Sequence, residues 1–392
     1  MISKVFEVIT KERAVGTAAN DEILNFLENR FKHMNYSIKS LPFECTIWEK
    51  GKSTLMTDNH LFEVEPSPFS NSFRGSGKLI MVRTVEKLEE IDCNNVILVL
   101  SGKLTESPLQ PKDYPFYYPK EHKYIISLLE RKKPKAIIAV TGKNPLSGKN
   151  PFPLFEDGNF LIPSANINDQ ILSKIKDAGL LSEVVHLTID SHKRLSKSRQ
   201  IVALKKAEKS MGKIVIGAHM DTKYNTPGAL DNAAGVAILL QIAEVLKSTA
   251  YDIEIVPFNS EEFYGACGEM EYLKLIDNEK DRIKLMINID SPCHKGAEAA
   301  ISFHNLSDNI SEIINCTIGK SEKIVKGKEW YAGDHVPFIF RGIPCLVVTS
   351  SDLFSGGLEY THTSKDTLDT IDFDMIGHIV RYIIEIISTL SV

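Results

Sequence analysis

Alternating apolar runs in the second half of the chain constrain its fold most strongly. After Ser198, short strand-like runs alternate with longer helix-like runs. The strand-like runs are Ile214–Ala218, Ile253–Phe258, Leu285–Ile289 and Cys345–Val348, and the helix-like runs are Asn232–Leu246, Ala266–Leu275 and Phe373–Leu390. This alternation is typical of a largely parallel sheet covered by helices. We therefore predict an α/β fold with a mostly parallel central sheet flanked by helices.

The first half of the chain suggests a second, smaller α/β domain. Residues 65–72 are rich in turn-forming residues, and beyond them the chain has its own strand-like and helix-like runs up to residue 189. We predict a discontinuous main domain of residues 1–65 and 191–392, with an inserted domain of residues 66–190. A helix is expected at about residues 20–34, with Thr17 or Asn20 as its cap.

Composition limits the partners and the compartment of the chain. The 392 residues are 43% hydrophobic and 25% charged, as in ordinary globular proteins, and the net charge is −5. Without a basic excess, a nucleic acid partner is not expected, and no apolar run is long enough for a membrane span. Charged residues interrupt the first sixteen positions, so we expect no signal peptide and a cytoplasmic protein. The six cysteines are scattered and suggest no disulfide framework.

Polar residues follow the predicted strands of the main domain. In such sheets, ligands bind beyond the carboxyl ends of the strands. Any one of these residues alone is more often a cap or a turn residue, but together they bring imidazole and carboxylate groups to one rim, which suits zinc or a similar divalent ion. A set of five ligands exceeds one open tetrahedral site and fits two metal ions that share a carboxylate. The five contributions come from His219, Asp231, the adjacent pair Glu261 and Glu262, Asp290 and His362.

These residues lie in motifs that resemble those of a known family. The segments are GAHMD, PGALDNAAG, NSEE, NID and YTHT, in this order over about residues 214–370. They look like the co-catalytic zinc aminopeptidases, metallopeptidase family twenty-eight, which includes leucyl aminopeptidases and the glutamate carboxypeptidase II group. The resemblance implies a zinc-peptidase fold of the phosphorylase/hydrolase-like type. Residues 66–190 resemble the protease-associated domain that some members carry as an insertion.

The resemblance also implies a set of metal ligands and a cofactor. The cofactor would be two Zn²⁺ ions, although other divalent metals are possible. One ion would be held by His219 and Asp290, the other by Glu262 and His362, and Asp231 would bridge the two. Cys293 and His294 are an alternative source of ligands, in a segment where the chain departs from the family pattern.

Further roles follow from the same resemblance. Glu261 would be the general base that takes a proton from a metal-bridging water and passes it to the leaving amine. Asp221 would accept the second imidazole N–H of His219 and fix its tautomer. Tyr360 is a candidate for hydrogen bonding to the oxyanion, and Asp334 and His335 are candidates for shaping the substrate pocket. For each of these three residues, a purely structural role is the alternative.

The implied activity is that of a zinc exopeptidase, first of all an aminopeptidase that releases N-terminal residues from peptides. A carboxypeptidase is an alternative, in which Arg341 would bind the terminal carboxylate. A deacylase acting on small amides, a glutaminyl cyclase with one zinc ion and a non-catalytic, receptor-like relative are the others. The sequence does not predict the side-chain preference, the residue that binds the substrate terminus or the oligomeric state.

Overall fold

A computed structural model describes residues 2–247, 249–318 and 321–390 of the chain. The chain forms two compact units, Met1–Cys45 with Lys197–Val392 and Thr46–Ser196. The predicted boundaries at residues 65/66 and 190/191 both fall inside the second unit. They differ because two long strands, Ser37–Lys50 and Ser191–Lys205, continue through the points at which the units divide.

The helices are named here in chain order. They are α1 (Ile2–Ile9), α2 (Ala18–His33), α3 (Val85–Glu90), α4 (Lys120–Lys132), α5 (Asp169–Asp177), α6 (Ala234–Val245), α7 (Cys267–Ile276), α8 (Asp308–Ile318), α9 (Val336–Ile339) and α10 (Phe373–Leu390). The cap of α2 is Thr17, whose side chain accepts a hydrogen bond from the backbone N–H of Asn20 at 3.2 Å. Of the two predicted caps, Thr17 is therefore the one used.

The strands are named in the same way. They are β1 (Ser37–Lys50), β2 (Thr54–Met56), β3 (Leu61–Glu63), β4 (Glu65–Pro66), β5 (Phe73–Val82), β6 (Val96–Leu100), β7 (Ala136–Val140), β8 (Ser164–Ile167), β9 (Val184–Ile189), β10 (Ser191–Lys205), β11 (Lys213–His219), β12 (Asp252–Phe258), β13 (Ile283–Ile289), β14 (Ala299–His304), β15 (Ile324–Lys326) and β16 (Cys345–Ser350).

One sheet has the strand order β1-β10-β12-β11-β13-β16-β14-β15. Its centre is parallel, because β11 pairs in parallel with β12 and β13, and β13 pairs in parallel with β16. Strands β10 and β14 are antiparallel to their neighbours β12 and β16. The prediction of a mixed α/β fold with a mostly parallel sheet is confirmed, and the four strands expected at its centre, β11, β12, β13 and β16, pair in parallel with one another.

The other sheet has the order β3-β2-β9-β5-β6-β7-β8-β4. Four adjacent strands of this sheet, β5, β6, β7 and β8, pair in parallel. At the two ends of this group, β9 pairs with β5 and β4 pairs with β8, both antiparallel. This sheet has two hydrophobic cores, one that includes residues of α3 and α4 and one that includes residues of α5. The second unit therefore has the strands and helices of a small α/β domain.

Burial explains why the centre of the first sheet is so apolar. Every residue of β11 and β12 is buried, as expected for parallel strands that are covered on both faces. Helix α6 is apolar around most of its surface because it packs against both the sheet and α10. The strand ends are consequently held by a rigid core, which fixes the positions of the loops that follow them.

Within residues 2–247, 249–318 and 321–390, no helix combines the length and apolar character that a membrane span requires. The six cysteines, all among the described residues, are free thiols.

Candidate metal centre

Three neighbouring strands deliver candidate ligands to one edge of the first sheet. His219 is the last residue of β11, Glu261 and Glu262 follow the end of β12, and Asp290 directly follows β13. Strand β11 lies between β12 and β13 and is parallel to both. The carboxyl ends of the three strands therefore meet, and the side chains that follow them are brought together.

The segment before α6 supplies Asp231. It forms a helical turn in which Asp231 and Asn232 have non-helical backbone angles, and the peptide bond between them is cis. Because the backbone angles of Asp231 and Asn232 are non-helical, α6 starts at Ala234, two residues later than predicted. Gly228 has φ +65°, and a Cβ atom there would lie 2.7 Å from the carbonyl oxygen of Asp231. The chain therefore makes a tight turn at Gly228 that only glycine fits without strain.

The five predicted ligands form two groups that share Asp231. In the first, Nε2 of His219 lies 3.0 Å from Oδ1 of Asp231 and 3.7 Å from Oδ1 of Asp290. In the second, Nε2 of His362 lies 3.2 Å from Oδ2 of Asp231 and 3.0 Å from Oε1 of Glu262. Within each group the potential ligand atoms all lie within 4.8 Å of one another. Each oxygen of Asp231 therefore faces a different imidazole.

The electrostatics of the two groups indicate a deficit of positive charge. Burial alone lowers the pKa of His219 and His362, but the surrounding carboxylates outweigh it and raise both well above the usual value. Burial raises the pKa of Glu261 well above its usual range, and the negative charges of Glu262, Asp334 and Asp290 add to this effect. Such a concentration of buried negative charge is costly unless cations balance it.

Both groups fit a divalent metal ion. Each offers one imidazole nitrogen and two carboxylates, a donor set that zinc binds readily. Three protein ligands leave a position open, as catalytic zinc sites require. Asp231 can serve both sites because its two oxygens are turned to opposite imidazoles. The residues of this chain are therefore suited to hold two ions that share a carboxylate.

Asp221 contacts the centre in another way than predicted. Its carboxylate accepts hydrogen bonds from the backbone N–H groups of Glu261 at 3.2 Å and Glu262 at 3.1 Å. The atom of Asp221 that faces Nδ1 of His219 is its backbone oxygen, at 3.3 Å. Orientation of the imidazole is therefore available from the main chain, while the Asp221 side chain fixes the adjacent glutamates.

The candidates for shaping the pocket and for binding the oxyanion differ in their burial. Asp334 is fully buried, and burial, followed by the negative charge of Glu269, raises the pKa of its carboxyl group well above the usual range. Burial also raises the pKa of Glu269 well above its usual range. His335 is buried as well, with Nε2 3.0 Å from the backbone oxygen of Trp330. Tyr360 is exposed, and its ring centroid lies 5.8 Å from that of His294.

Three residues that the sequence offered as alternatives make contacts outside the candidate metal centre. They are Cys293 and His294, as alternative ligands, and Arg341, as an alternative residue for binding the substrate terminus. His294 lies 2.7 Å from Asp352 through its Nδ1 atom, and Cys293 is a buried thiol. Neither belongs to the two ligand groups found in the described residues. Arg341 donates a hydrogen bond to Asp277 at 2.7 Å and another to a backbone carbonyl. These contacts do not connect Arg341 with the metal centre.

Two residues that fix the segments carrying His219 and Asp231 were not predicted from the sequence. The buried carboxylate of Asp366 accepts the backbone N–H groups of Leu230 at 2.7 Å and Asp231 at 3.1 Å. The guanidinium of Arg13 is fully buried and donates to the backbone carbonyls of Met220 and Gly228, among others. A polar residue four positions after His362 was a signal for Asp366, whereas nothing local marks Arg13.

Comparisons with known proteins connect this geometry with a family. Residues 200–387 match Peptidase family M28. Over 185 residues the chain is 29% identical to aminopeptidase YwaD of Bacillus subtilis, a match that covers 44% of this chain and 40% of that protein. The curated relatives are thus matched over about half of their length or less.

Solved structures with the same fold cover nearly the whole chain. An aminopeptidase from Aneurinibacillus sp. strain AM-1 is 20% identical, with a TM-score of 0.77 over 100% of this chain and 94% of that one. The zinc aminopeptidase BSAP of Bacillus subtilis is 18% identical, with a TM-score of 0.73 over 99% and 94% of the two chains. Residues 200–387, which match the family, contain all five candidate ligands. Residues 200–387 of this chain therefore form a domain of peptidase family M28.

Proposed function

We propose that this protein is a dinuclear zinc aminopeptidase that releases N-terminal residues from peptides. The observation that carries the proposal is the sharing of Asp231 between two ligand groups, one with His219 and one with His362. Relatives and solved structures named aminopeptidase, one of them a zinc aminopeptidase, support the reaction class and the metal. When bound, two zinc ions supply a Lewis acid for the scissile carbonyl and acidify the attacking water.

Glu261 is the proton carrier in this proposal. Its carboxyl group lies among the acidic side chains of the centre, and its backbone is fixed by the hydrogen bond from its N–H to Asp221. A carboxyl group with a raised pKa is a better base near neutral pH than an ordinary glutamate. Glu261 takes a proton from the attacking water and gives it to the nitrogen of the leaving amine.

The neighbouring Glu262 has a different task although it is adjacent in sequence. Its Oε1 atom faces His362, and its pKa is lowered because His362 and Lys223 outweigh the effect of burial. The two glutamates diverge because they follow the end of β12, outside the regular strand. One carboxylate is thereby committed to holding a metal ion while the other remains available for proton transfer.

A direct test compares wild type with Glu261→Gln on an aminoacyl p-nitroanilide and on its N-acetylated form. We expect wild type to cleave only the substrate with the free amine. Glu261→Gln should retain two zinc ions and lose about 10²–10⁴-fold in kcat, the range typical of general acid–base catalysis. Glu271→Gln is the matched control, because Glu271 forms an ion pair with Lys274 on the surface of α7.

Each contrary result removes a different part of the proposal. Equal cleavage of the acetylated substrate would show a deacylase or another amidase, and not an aminopeptidase. An unchanged kcat in Glu261→Gln would show that another group carries the proton. A wild-type protein that binds no zinc would exclude the metallopeptidase mechanism.

A further inference from the structure

Lys223 distinguishes the two metal sites from each other. Its Nζ atom lies 3.3 Å from Oε2 of Glu262 and donates a hydrogen bond to the backbone oxygen of the same residue at 2.7 Å. The Lys223 side chain is 23% exposed and that of Glu262 is 7% exposed, so solvent screens this pair only weakly. Lys223 thus contacts the metal ligand on the side turned away from His362.

Several contacts together restrict how Glu262 can bind a metal ion. Its N–H donates to Asp221 at 3.1 Å, and both its carbonyl oxygen and its Oε2 atom face the ammonium of Lys223. Oε1 is the carboxylate oxygen that faces His362, at 3.0 Å. Glu262 is therefore arranged to offer one oxygen to a metal ion while the other remains paired with a cation.

The corresponding ligand of the other site has a neutral neighbour. Oδ1 of Asp290 accepts a hydrogen bond from the hydroxyl of Ser291 at 3.2 Å. Both sites otherwise have the same composition, one imidazole and two carboxylates with Asp231 in common. Among the contacts of the described residues, the ligand Glu262 of one site is thus paired with a cation, whereas the ligand Asp290 of the other is paired with a neutral hydroxyl.

We propose that Lys223 makes the site of Asp231, Glu262 and His362 the weaker of the two metal sites, so that its ion binds last and exchanges first. The inference rests on the proposed dinuclear function. A cation next to a ligand repels the incoming divalent ion and reduces the negative charge that the ligand can offer. The first ion remains in the other site, and loading of the second determines when the centre is complete.

The test isolates each site in the full chain and measures Zn²⁺ affinity by competition with a chromophoric chelator. Asp290→Asn leaves the site next to Lys223, and His362→Gln leaves the other. Lys223→Met is then added to each. We expect it to tighten zinc binding roughly tenfold in the Asp290→Asn background, at the low end of effects from groups around metal ligands. In the His362→Gln background the affinity should stay unchanged.

Two further variants separate charge from other effects. Lys223→Arg retains the positive charge and should not tighten binding, and Lys365→Met removes an exposed charge three residues from His362 and should change nothing. Circular dichroism of each variant checks that the fold is intact. The wild type should give two separate binding constants, and Lys223→Met should bring them closer together.

The results that would overturn the inference about Lys223 differ from those that would overturn the proposed function. Equal effects of Lys223→Met in both backgrounds, or weaker binding in the Asp290→Asn background, would overturn the inference, because Lys223 would then act generally or by positioning Glu262. In either case zinc binding to wild type would still stand. Absence of zinc binding in wild type would instead overturn the proposed function itself.

Discussion

The carboxylate of Asp366 accepts a hydrogen bond from the backbone N–H of Asp231 at 3.1 Å. A second hydrogen bond, from the N–H of Leu230 at 2.7 Å, ties the same carboxylate to the turn before α6. Burial, followed by the charge of Asp231, raises the pKa of Asp366 to about 6. Asp366 thus fixes the main chain of the residue that both candidate ligand groups share.

We expect Asp366→Ala to weaken zinc binding at both sites by about 10–100-fold, the usual effect of losing a group that orients a metal ligand. Loss of the Asp366 carboxylate leaves the buried N–H groups of Leu230 and Asp231 without their acceptor and frees the turn that holds Asp231. Zinc titration of the variant measures the effect. Asp369→Ala, at an exposed position on the same segment, is the control and should bind as wild type does.

Arg13 should be required for the geometry of the same loops. Its guanidinium donates to the carbonyl oxygens of Pro227 at 2.8 Å and Gly228 at 3.0 Å, and also to that of Met220, next to His219. Arg13→Met removes these donors and leaves the carbonyls unsatisfied, which costs about 1–3 kcal/mol for each buried group. We expect lower stability toward urea and weaker zinc binding together.

The control for Arg13 is the exposed Arg74, whose replacement by Met should change neither property. Methylguanidinium in the buffer offers a second check, since it can occupy the space of the lost guanidinium. Restoration of zinc binding by methylguanidinium is expected for Arg13→Met. A variant that keeps full zinc affinity would show that the loops hold their positions without Arg13.

Lys213 and Glu254 form a buried ion pair at the start of the central strands. Nζ of Lys213 lies 2.7 Å from Glu254 and 2.8 Å from Glu279, and Glu254 also accepts the hydroxyl of Tyr272 at 2.6 Å. Lys213→Met leaves the charge of Glu254 buried without its cation. We expect this to lower the free energy of unfolding by about 3–5 kcal/mol, as for other buried pairs that lose one partner.

The double variant Lys213→Met with Glu254→Gln should recover much of the loss, because the buried charge is then removed as well. Lys274→Met breaks an exposed pair with Glu271 and should cost less than about 1 kcal/mol. Urea unfolding of the four proteins measures these differences. Equal destabilisation by Lys213→Met and Lys274→Met would contradict the account.

His335 should make stability depend on pH. Burial, together with the neighbouring His304, lowers the pKa of His335 from 6.5 to about 4, although the hydrogen bond to Trp330 acts in the opposite direction. Between pH 7 and pH 5 the unfolded chain takes up a proton on this residue, and the folded chain does not. The free energy of unfolding therefore falls as the pH is lowered, by roughly 2 kcal/mol from this group.

The measurement is urea unfolding of wild type and His335→Gln at pH 7 and pH 5. All other titrating groups are common to the two proteins, so their difference isolates His335. We expect wild type to lose roughly 2 kcal/mol more than the variant over this interval. Identical losses would show that His335 is protonated equally in the folded and unfolded chains.

Local sequence patterns allowed much of the fold and the set of candidate metal ligands to be predicted. The apolar runs at residues 214–218 and 285–289 lie within β11 and β13, and α10 has the predicted bounds. The ligands His219 and Asp290 stand at strand ends, where spacing along the chain is informative. A buried parallel strand must be apolar throughout, which makes both it and its polar end visible in the sequence.

Other features depend on contacts that no local pattern records. Arg13 bonds to Gly228 across 215 positions, so no short segment contains both. The full length of strand β1 could not be predicted, because most of its residues are exposed or half-buried and its sequence lacks a continuous apolar run. The family resemblance implies that the carboxylate of Asp221 contacts His219, two positions before it, whereas the fold turns this carboxylate toward the backbone of Glu261 and Glu262, about forty positions away.

The central claim is that two metal ions share Asp231. Crystals of the zinc-loaded protein, measured at the zinc absorption edge, test it most directly. The account predicts two anomalous peaks, one at about 2.0–2.2 Å from His219 and Asp290 and one at the same range from Glu262 and His362, with Asp231 bound to both. A single peak, or two peaks of which only one contacts Asp231, would contradict it.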